Sequence, residues 1–184
     1  MSLRTITCTS ILIVLSLALS SHSYAQQTVS VSPPDSSLTA KDTFVPVKNS
    51  QEVDKLISYA KKFLGTPYRY AGSTPSGFDC SGFINYVFGN FGFQLTRTSY
   101  GLAEFGEHVK LADVRPGDLL FFKGSSTKTT RVGHVAMVVE VTPNAINMIH
   151  SSTGRGVVIE NFKTSRYFIA RFIKAKRLDY GVMQ

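Results

Sequence analysis

The spacing of apolar residues changes halfway along this chain, and that change limits the fold more than any other feature. Val53, Leu56, Ile57, Ala60, Phe63 and Leu64 recur three and four places apart, as on one face of a helix, and Gly65 then Pro67 end the run. Asn49 and Glu52 stand ahead of it at N-cap and N3 spacing, so the folded part is expected to open at Asn49. Phe83, Ile84, Val87 and Phe88 repeat the helical pattern up to Gly89, with Asp79 as a natural N-cap. Thr98 to Phe105 offers a third, short helix, weakened by Gly101. Beyond it the pattern becomes short apolar runs: Asp118 to Phe122, His134 to Val141, Ile146 to His150, Val157 to Glu160 and Phe168 to Lys176. Pro-Gly, Pro-Asn and Gly-containing turns separate them, so they read as strands. Helices first and strands afterwards imply an α+β domain, its N-terminal helices packed on a C-terminal antiparallel sheet.

The first residues point to export. Arg4 gives a positive start, Ile11 to Leu19 a short apolar core, and Ser23-Tyr24-Ala25 small residues suited to a cut, together the pattern of a secretory signal peptide over residues 1–25. The run falls short of the roughly 20 apolar residues that a membrane span needs. No cysteine follows the apolar core to carry a lipid, so the exported protein, periplasmic or extracellular, is not expected to be a lipoprotein. Residues 26–48, rich in Ser, Thr, Pro and Val, read as a flexible linker; 49–178 form the expected domain and 179–184 a C-terminal tail. No other apolar run is long enough to cross a membrane, so the mature chain is expected to have no transmembrane segment. Lys and Arg number 20 against 12 Asp and Glu, and the net charge of +8 falls to +7 when Arg4 leaves. A basic exported chain is drawn to anionic surfaces. The cations are scattered and form no basic stripe with interleaved aromatics, which argues against nucleic acid.

Removing residues 1–25 also removes Cys8 and leaves a single cysteine, Cys80, in the stretch F-D-C-S-G-F. Exported chains normally pair their cysteines, so a lone one is an intermolecular bridge, a small buried hydrophobe or a reactive thiol. One cysteine with His108, His134 and His150 draws no zinc pattern, and no cofactor is expected. With Asp79 as N-cap, Cys80 falls in the first helical turn, where backbone N–H groups and the helix dipole favour the thiolate. Asp79 opposes this unless its carboxylate is occupied by N–H groups or by a cationic group of a substrate. A nucleophilic cysteine needs a base, and His134 opens one strand while His150 closes the next. A turn at Pro143-Asn144 would return the two ends to one side of the sheet, although a one-residue slip would turn either ring away. Oxyanion donors are the Cys80 backbone N–H and a tyrosine, Tyr68 or Tyr70, between which the spacing does not choose.

Five ordered motifs, L-G-T-P-Y-R-Y-A-G-S-T-P-S-G-F-D-C-S-G-F, R-T-S, R-P-G-D-L-L-F-F, V-G-H-V-A-M-V and I-H-S-S-T, resemble the NlpC family of bacterial cell-wall cysteine peptidases, a papain-like group. The resemblance covers Val53 to Arg177. It implies an endopeptidase that cuts peptidoglycan stem peptides, usually between γ-D-glutamate and diaminopimelate or lysine. It makes Cys80 the nucleophile, His134 the general base and His150 the polar third member, and it selects Tyr68 over Tyr70 for the oxyanion. It also places Asp79 and Ser81 in the substrate groove, near the stem peptide's amino end, and Arg97 as a candidate for a substrate carboxylate. The chain departs from the family in Ala71-Gly72, where Gly-Gly is common, and in Thr96, where proline is common. The polar, basic loop Lys123 to Arg131 is expected to be mobile.

Other readings use the same residues. An acyl transferase would pass the acyl group to an amine or lipid instead of water. A silent wall-binding module would lack the cysteine, the histidine or the oxyanion donor, and all three are present. An effector against neighbouring cells would need a cognate inhibitor, which the chain does not reveal, and it carries no recognisable wall-binding repeat to stand in for a targeting partner.

Overall fold

The computed structural model describes residues 47–180, with side chains from Ser50 onward. The signal peptide expected at 1–25, residues 26–46 of the linker and residues 181–184 of the tail lie outside the described residues. Helix α1 (Val47–Lys61) begins ahead of the expected N-cap position, so Asn49 lies inside the helix. Leu56, Ile57 and Ala60 face the core as the spacing predicts, whereas Leu64, past the helix end, is exposed. Two-residue strands β1 (Ser73–Thr74) and β2 (Gly77–Phe78) form a hairpin that leads into helix α2 (Cys80–Gly89), and α3 (Ser99–Leu102) is a single turn capped by Thr98.

Six strands follow: β3 (Glu107–Val109), β4 (Leu119–Lys123), β5 (Val132–Thr142), β6 (Ala145–Ser152), β7 (Gly156–Asn161) and β8 (Phe172–Arg177). They form one sheet in the order β3-β8-β4-β5-β6-β7, antiparallel throughout. The chain is therefore α+β, as its apolar spacing implies. One expected strand is divided. Ser165 caps a single helical turn, α4 (Arg166–Ile169), by accepting from the Phe168 N–H, and β8 starts only at Phe172.

The apolar runs are continuous because the sheet is buried on both faces. Leu119, Phe121, Val135 and Met137 face α1 and α2, together with Phe83, Ile84, Val87 and Phe88. Leu120, Phe122, Ala136 and Val138 face the other way, onto Met148, Phe162 and Phe168. Phe121 and Phe122 are both fully buried, each worth roughly 1.5–3 kcal/mol of burial, on opposite sides of one strand.

The far end of the sheet is held by polar groups. Asp118, 1% exposed, accepts from Arg115 N–H at 2.7 Å and from Arg177 Nε and Nη2 at 2.8 and 2.7 Å. Tyr180 packs into the first core and donates to the Gly117 carbonyl at 2.6 Å, so packing continues two residues past the expected boundary at 178. Among the described residues no helix is long and apolar enough to cross a membrane.

Candidate active site

Each residue of D-C-S-G has a separate local task. Asp79 adopts extended backbone (φ −87°, ψ 176°) and its Oδ1 accepts the Gly82 N–H at 2.7 Å, which starts α2 at Cys80. Ser81, buried beneath it, donates to the same oxygen at 3.2 Å. Gly82 lets the helix start lie against the preceding loop, because a Cβ there would sit 2.0 Å from the Gly72 carbonyl oxygen.

Arg97 completes this cluster. Its Nη1 donates to Asp79 Oδ1 and Ser81 Oγ, both at 2.9 Å, and its Nη2 to Asp79 Oδ2 at 2.6 Å and Gly72 O at 3.1 Å. Both Nη groups are thus committed to the protein. The geometry corrects the expectation that they are open to a substrate carboxylate, and makes Arg97 a brace for Asp79. Asp79 is therefore satisfied by an N–H group and a guanidinium, which answers the electrostatic objection only in part. The thiol of Cys80 is pushed up, first by burial and then by the Asp79 charge. The backbone N–H groups of Val135, Ser81 and Cys80 itself pull the other way without prevailing. The helix start alone, from which a lowered value was expected, does not outweigh desolvation.

The two histidines meet. Strands β5 and β6 are joined by the Pro143-Asn144 turn, with Thr142 opposite Ala145, and a bulge between Val138 and Glu140 adjusts the register. His134 Nε2 lies 3.0 Å from His150 Nδ1, the rings nearly perpendicular at 87°. Both rings rest on Phe168, with centroids at 5.7 and 5.1 Å, on the sheet face opposite α2. Burial, then the neighbouring His150, lowers His134 to about 3, so its imidazole is neutral at ordinary pH.

Beyond His150 the structure places two groups that the sequence reading did not single out. His150 Nε2 lies 2.6 Å from Glu160 Oε2, and Arg155, in the turn between β6 and β7, pairs with Glu160 Oε1. The bond from His150 is the main cause that holds Glu160 down at about 2, with Arg155 adding to it. In the register of β6 and β7, His150 faces Val158, so Glu160 is two residues further on the same face. Only that pairing reveals the contact.

Cys80, His134, His150 and Tyr68 line one cleft of about 390 Å³. The Tyr68 hydroxyl is pushed up by burial, then by the charges of Cys80 and Asp79, with the Thr153 side chain pulling the other way. Tyr70 is 87% exposed and does not line the cleft. The loop from Lys123 forms one wall, and it is tied down where mobility was expected. Arg171 donates to Gly124 O and Ser125 O at 3.3 and 3.2 Å, Lys123 reaches Thr127 O at 3.0 Å, and Arg131 lies over the Tyr100 ring. At its neck Gly133 passes so close that a Cβ there would sit 2.7 Å from Gly124 Cα. Among the described residues, no group of three or more His, Cys, Asp and Glu is arranged to hold a metal ion.

This arrangement supplies a thiol, a neutral imidazole in a polar chain and hydrogen-bond donors at a helix start, the parts needed for acyl transfer through sulfur. Residues 65–177 match the NlpC/P60 family. The chain is 35% identical over 142 residues to the gamma-DL-glutamyl hydrolase of Bacillus subtilis (strain 168), covering 73% of this chain and 33% of that protein. It is 32% identical over 133 residues to the murein DD-endopeptidase MepS/murein LD-carboxypeptidase of Escherichia coli (strain K12), covering 72% of this chain and 66% of the relative. The chain thus spans a third of the length of one and about two thirds of the other. The crystal structure of an NlpC/P60 family protein from Bacillus cereus ATCC 10987 superposes with a TM-score of 0.61 at 36% identity, over 68% of this chain and 39% of that one.

Proposed function

Because this chain belongs to the NlpC/P60 family, we propose that it is an exported cysteine endopeptidase of peptidoglycan, cutting stem peptides between γ-D-glutamate and diaminopimelate or lysine. The observation that carries this reading is the convergence of Cys80, Tyr68 and the His134–His150 pair on one cleft. Arg4, the apolar run Ile11 to Leu19 and Ser23-Tyr24-Ala25 support export.

His134 is the base. Its Nε2 is taken by His150, which leaves Nδ1 for the thiol proton. As the proton moves, Cys80 sulfur bonds to the scissile carbonyl carbon, and the oxyanion is met by the Cys80 backbone N–H and the Tyr68 hydroxyl. His134 then gives the proton to the departing amine, the C–N bond breaks, and a thioester remains on Cys80. Water, losing a proton to His134, attacks the thioester, and the thiol is restored with release of a carboxylate.

Asp79 supports recognition of a free amino end. Its Oδ1 already accepts three bonds, but Oδ2 takes only the bond from Arg97, which leaves capacity for an ammonium group. That favours a short stem peptide whose N-terminus lies next to the nucleophile. The names of the relatives differ on the bond, one being a γ-glutamyl hydrolase and the other a DD-endopeptidase. Digesting purified wall fragments and reading the products by mass spectrometry decides it. The proposal expects new amino ends on diaminopimelate or lysine. Products cut only at D-alanyl cross-links would overturn the bond, and no cleavage by folded protein would overturn the activity.

A further inference from the structure

The polar chain behind the base does not end at His150, and its last member determines where the protons lie. An imidazole can carry its proton on either nitrogen, and the contact between His134 Nε2 and His150 Nδ1 at 3.0 Å is satisfied equally well in two ways. In one, His134 donates and keeps Nδ1 bare. In the other, His150 donates, and neutral His134 carries its proton on Nδ1, where it cannot take one from a thiol. Nothing within the histidine pair selects between them. His150 is 1% exposed, so bulk water does not select either.

Glu160 breaks the tie. A carboxylate only accepts, so the 2.6 Å contact of Oε2 with His150 Nε2 requires the proton on that nitrogen. With a single proton on His150, its Nδ1 is then bare and must accept from His134 Nε2–H, and this leaves His134 Nδ1 bare. Arg155, which can only donate, holds the other oxygen and keeps the carboxylate ionised and oriented. We propose that Glu160, clamped by Arg155, is a positioning residue that fixes the tautomers of both histidines, so that His134 presents an unprotonated Nδ1 to Cys80. The inference rests on the peptidase reading for its consequence in turnover, but not for the proton positions.

The roles of Arg155 and Glu160 can be separated by an isosteric change. In Glu160→Gln, Arg155 draws the amide oxygen to itself, so the amide NH₂ points at His150 Nε2 and forces that nitrogen to accept. Both histidines then carry their protons on Nδ1. Adding Arg155→Ala frees the amide to turn, so that its oxygen can again accept from His150.

The test is carried out on the full chain labelled with ¹⁵N at histidine, reading imidazole shifts together with the rate of Cys80 alkylation by iodoacetamide and kcat on wall fragments. The native spectrum should show Nε2 protonated and Nδ1 bare on both His134 and His150. Glu160→Gln should invert both and slow alkylation and kcat about 10²–10⁴-fold with little change in KM, the order seen when the orienting acid of a catalytic histidine is neutralised. Glu160→Gln with Arg155→Ala should restore the native tautomers and at least about tenfold of the lost rate. A native spectrum with Nδ1 protonated overturns the proposal, and does so even if Glu160→Gln fails to fold. So do native tautomers and rate in Glu160→Gln, or a double variant no faster than the single one. Shifts and alkylation need no substrate, so a protein that shows them as expected yet cuts no stem peptide would sink the peptidase reading alone.

Discussion

Ala71 has a positive φ of 57°, a region that L-residues enter at a cost of roughly 1–2 kcal/mol. The loop gives it no choice. Gly72 N–H donates to Arg69 O at 2.9 Å, and the Gly72 carbonyl accepts from Asp79 N–H at 3.0 Å, which fixes the hairpin ahead of Cys80. Ala71→Gly removes the steric penalty, and because Ala71 is exposed the lost methyl group removes little burial. Against the gain stands the extra freedom of glycine in the unfolded chain, about 0.4–1 kcal/mol. The difference favours glycine by about 0.5–1 kcal/mol, or roughly 2–4 °C in Tm for a domain of this size. Urea unfolding at fixed pH, followed by far-UV circular dichroism, measures it, and Ala71→Val should fall on the other side of the native protein. Equal or lower stability of Ala71→Gly would refute the argument, because it would mean that the left-handed conformation at 71 costs the alanine nothing.

Two further predictions concern charge. Asp79→Asn keeps a side-chain oxygen for the Gly82 N–H but removes the negative charge that raises the Cys80 thiol, so the pH at which iodoacetamide labels Cys80 half-maximally should move down. An unchanged or higher midpoint would contradict the assignment of that charge effect. In acid, His134 resists protonation until about pH 3 although an unfolded histidine takes its proton near 6.5, so stability should fall as pH drops through that window. Glu160 is held low by His150 and Arg155, and its contribution, present above its unfolded value, is lost as pH falls toward 2. Both effects have the same sign, and His134→Gln should flatten the slope of the urea midpoint between pH 6.5 and 3. A slope as steep as that of the native protein would place the acid sensitivity elsewhere.

The parts of this fold that could be read in advance are those whose signals are local. The Asp79 cap, the apolar stripe of α2 and the runs that became β4, β5, β6 and β7 each depend on neighbours in sequence. The strand β3 escaped notice because Glu-His-Val carries no alternating apolar face and owes its existence to pairing with β8. The run from Phe168 to Lys176 looked continuous because both pieces are apolar, and Ser165, the cap that divides it, is a weak mark in a polar stretch. At the site, the cysteine and histidines stood out by residue type. The contacts of Arg97 with Asp79 and of Glu160 with His150 did not, since one spans 18 residues, across α2 and the loop that follows it, and the other depends on the strand register. Arg97 accordingly looked like a hand for a substrate, and Glu160 like an ordinary strand-end acid.

The most direct test of a Cys80 nucleophile is to quench turnover of a stem peptide in acid within milliseconds and weigh the intact protein. The account predicts a species heavier by the acyl half of the peptide, mapped by proteolysis to Cys80 and absent from Cys80→Ala, which should cleave nothing. Undiminished cleavage by Cys80→Ala, with no adduct on Cys80 in the native protein, would contradict it.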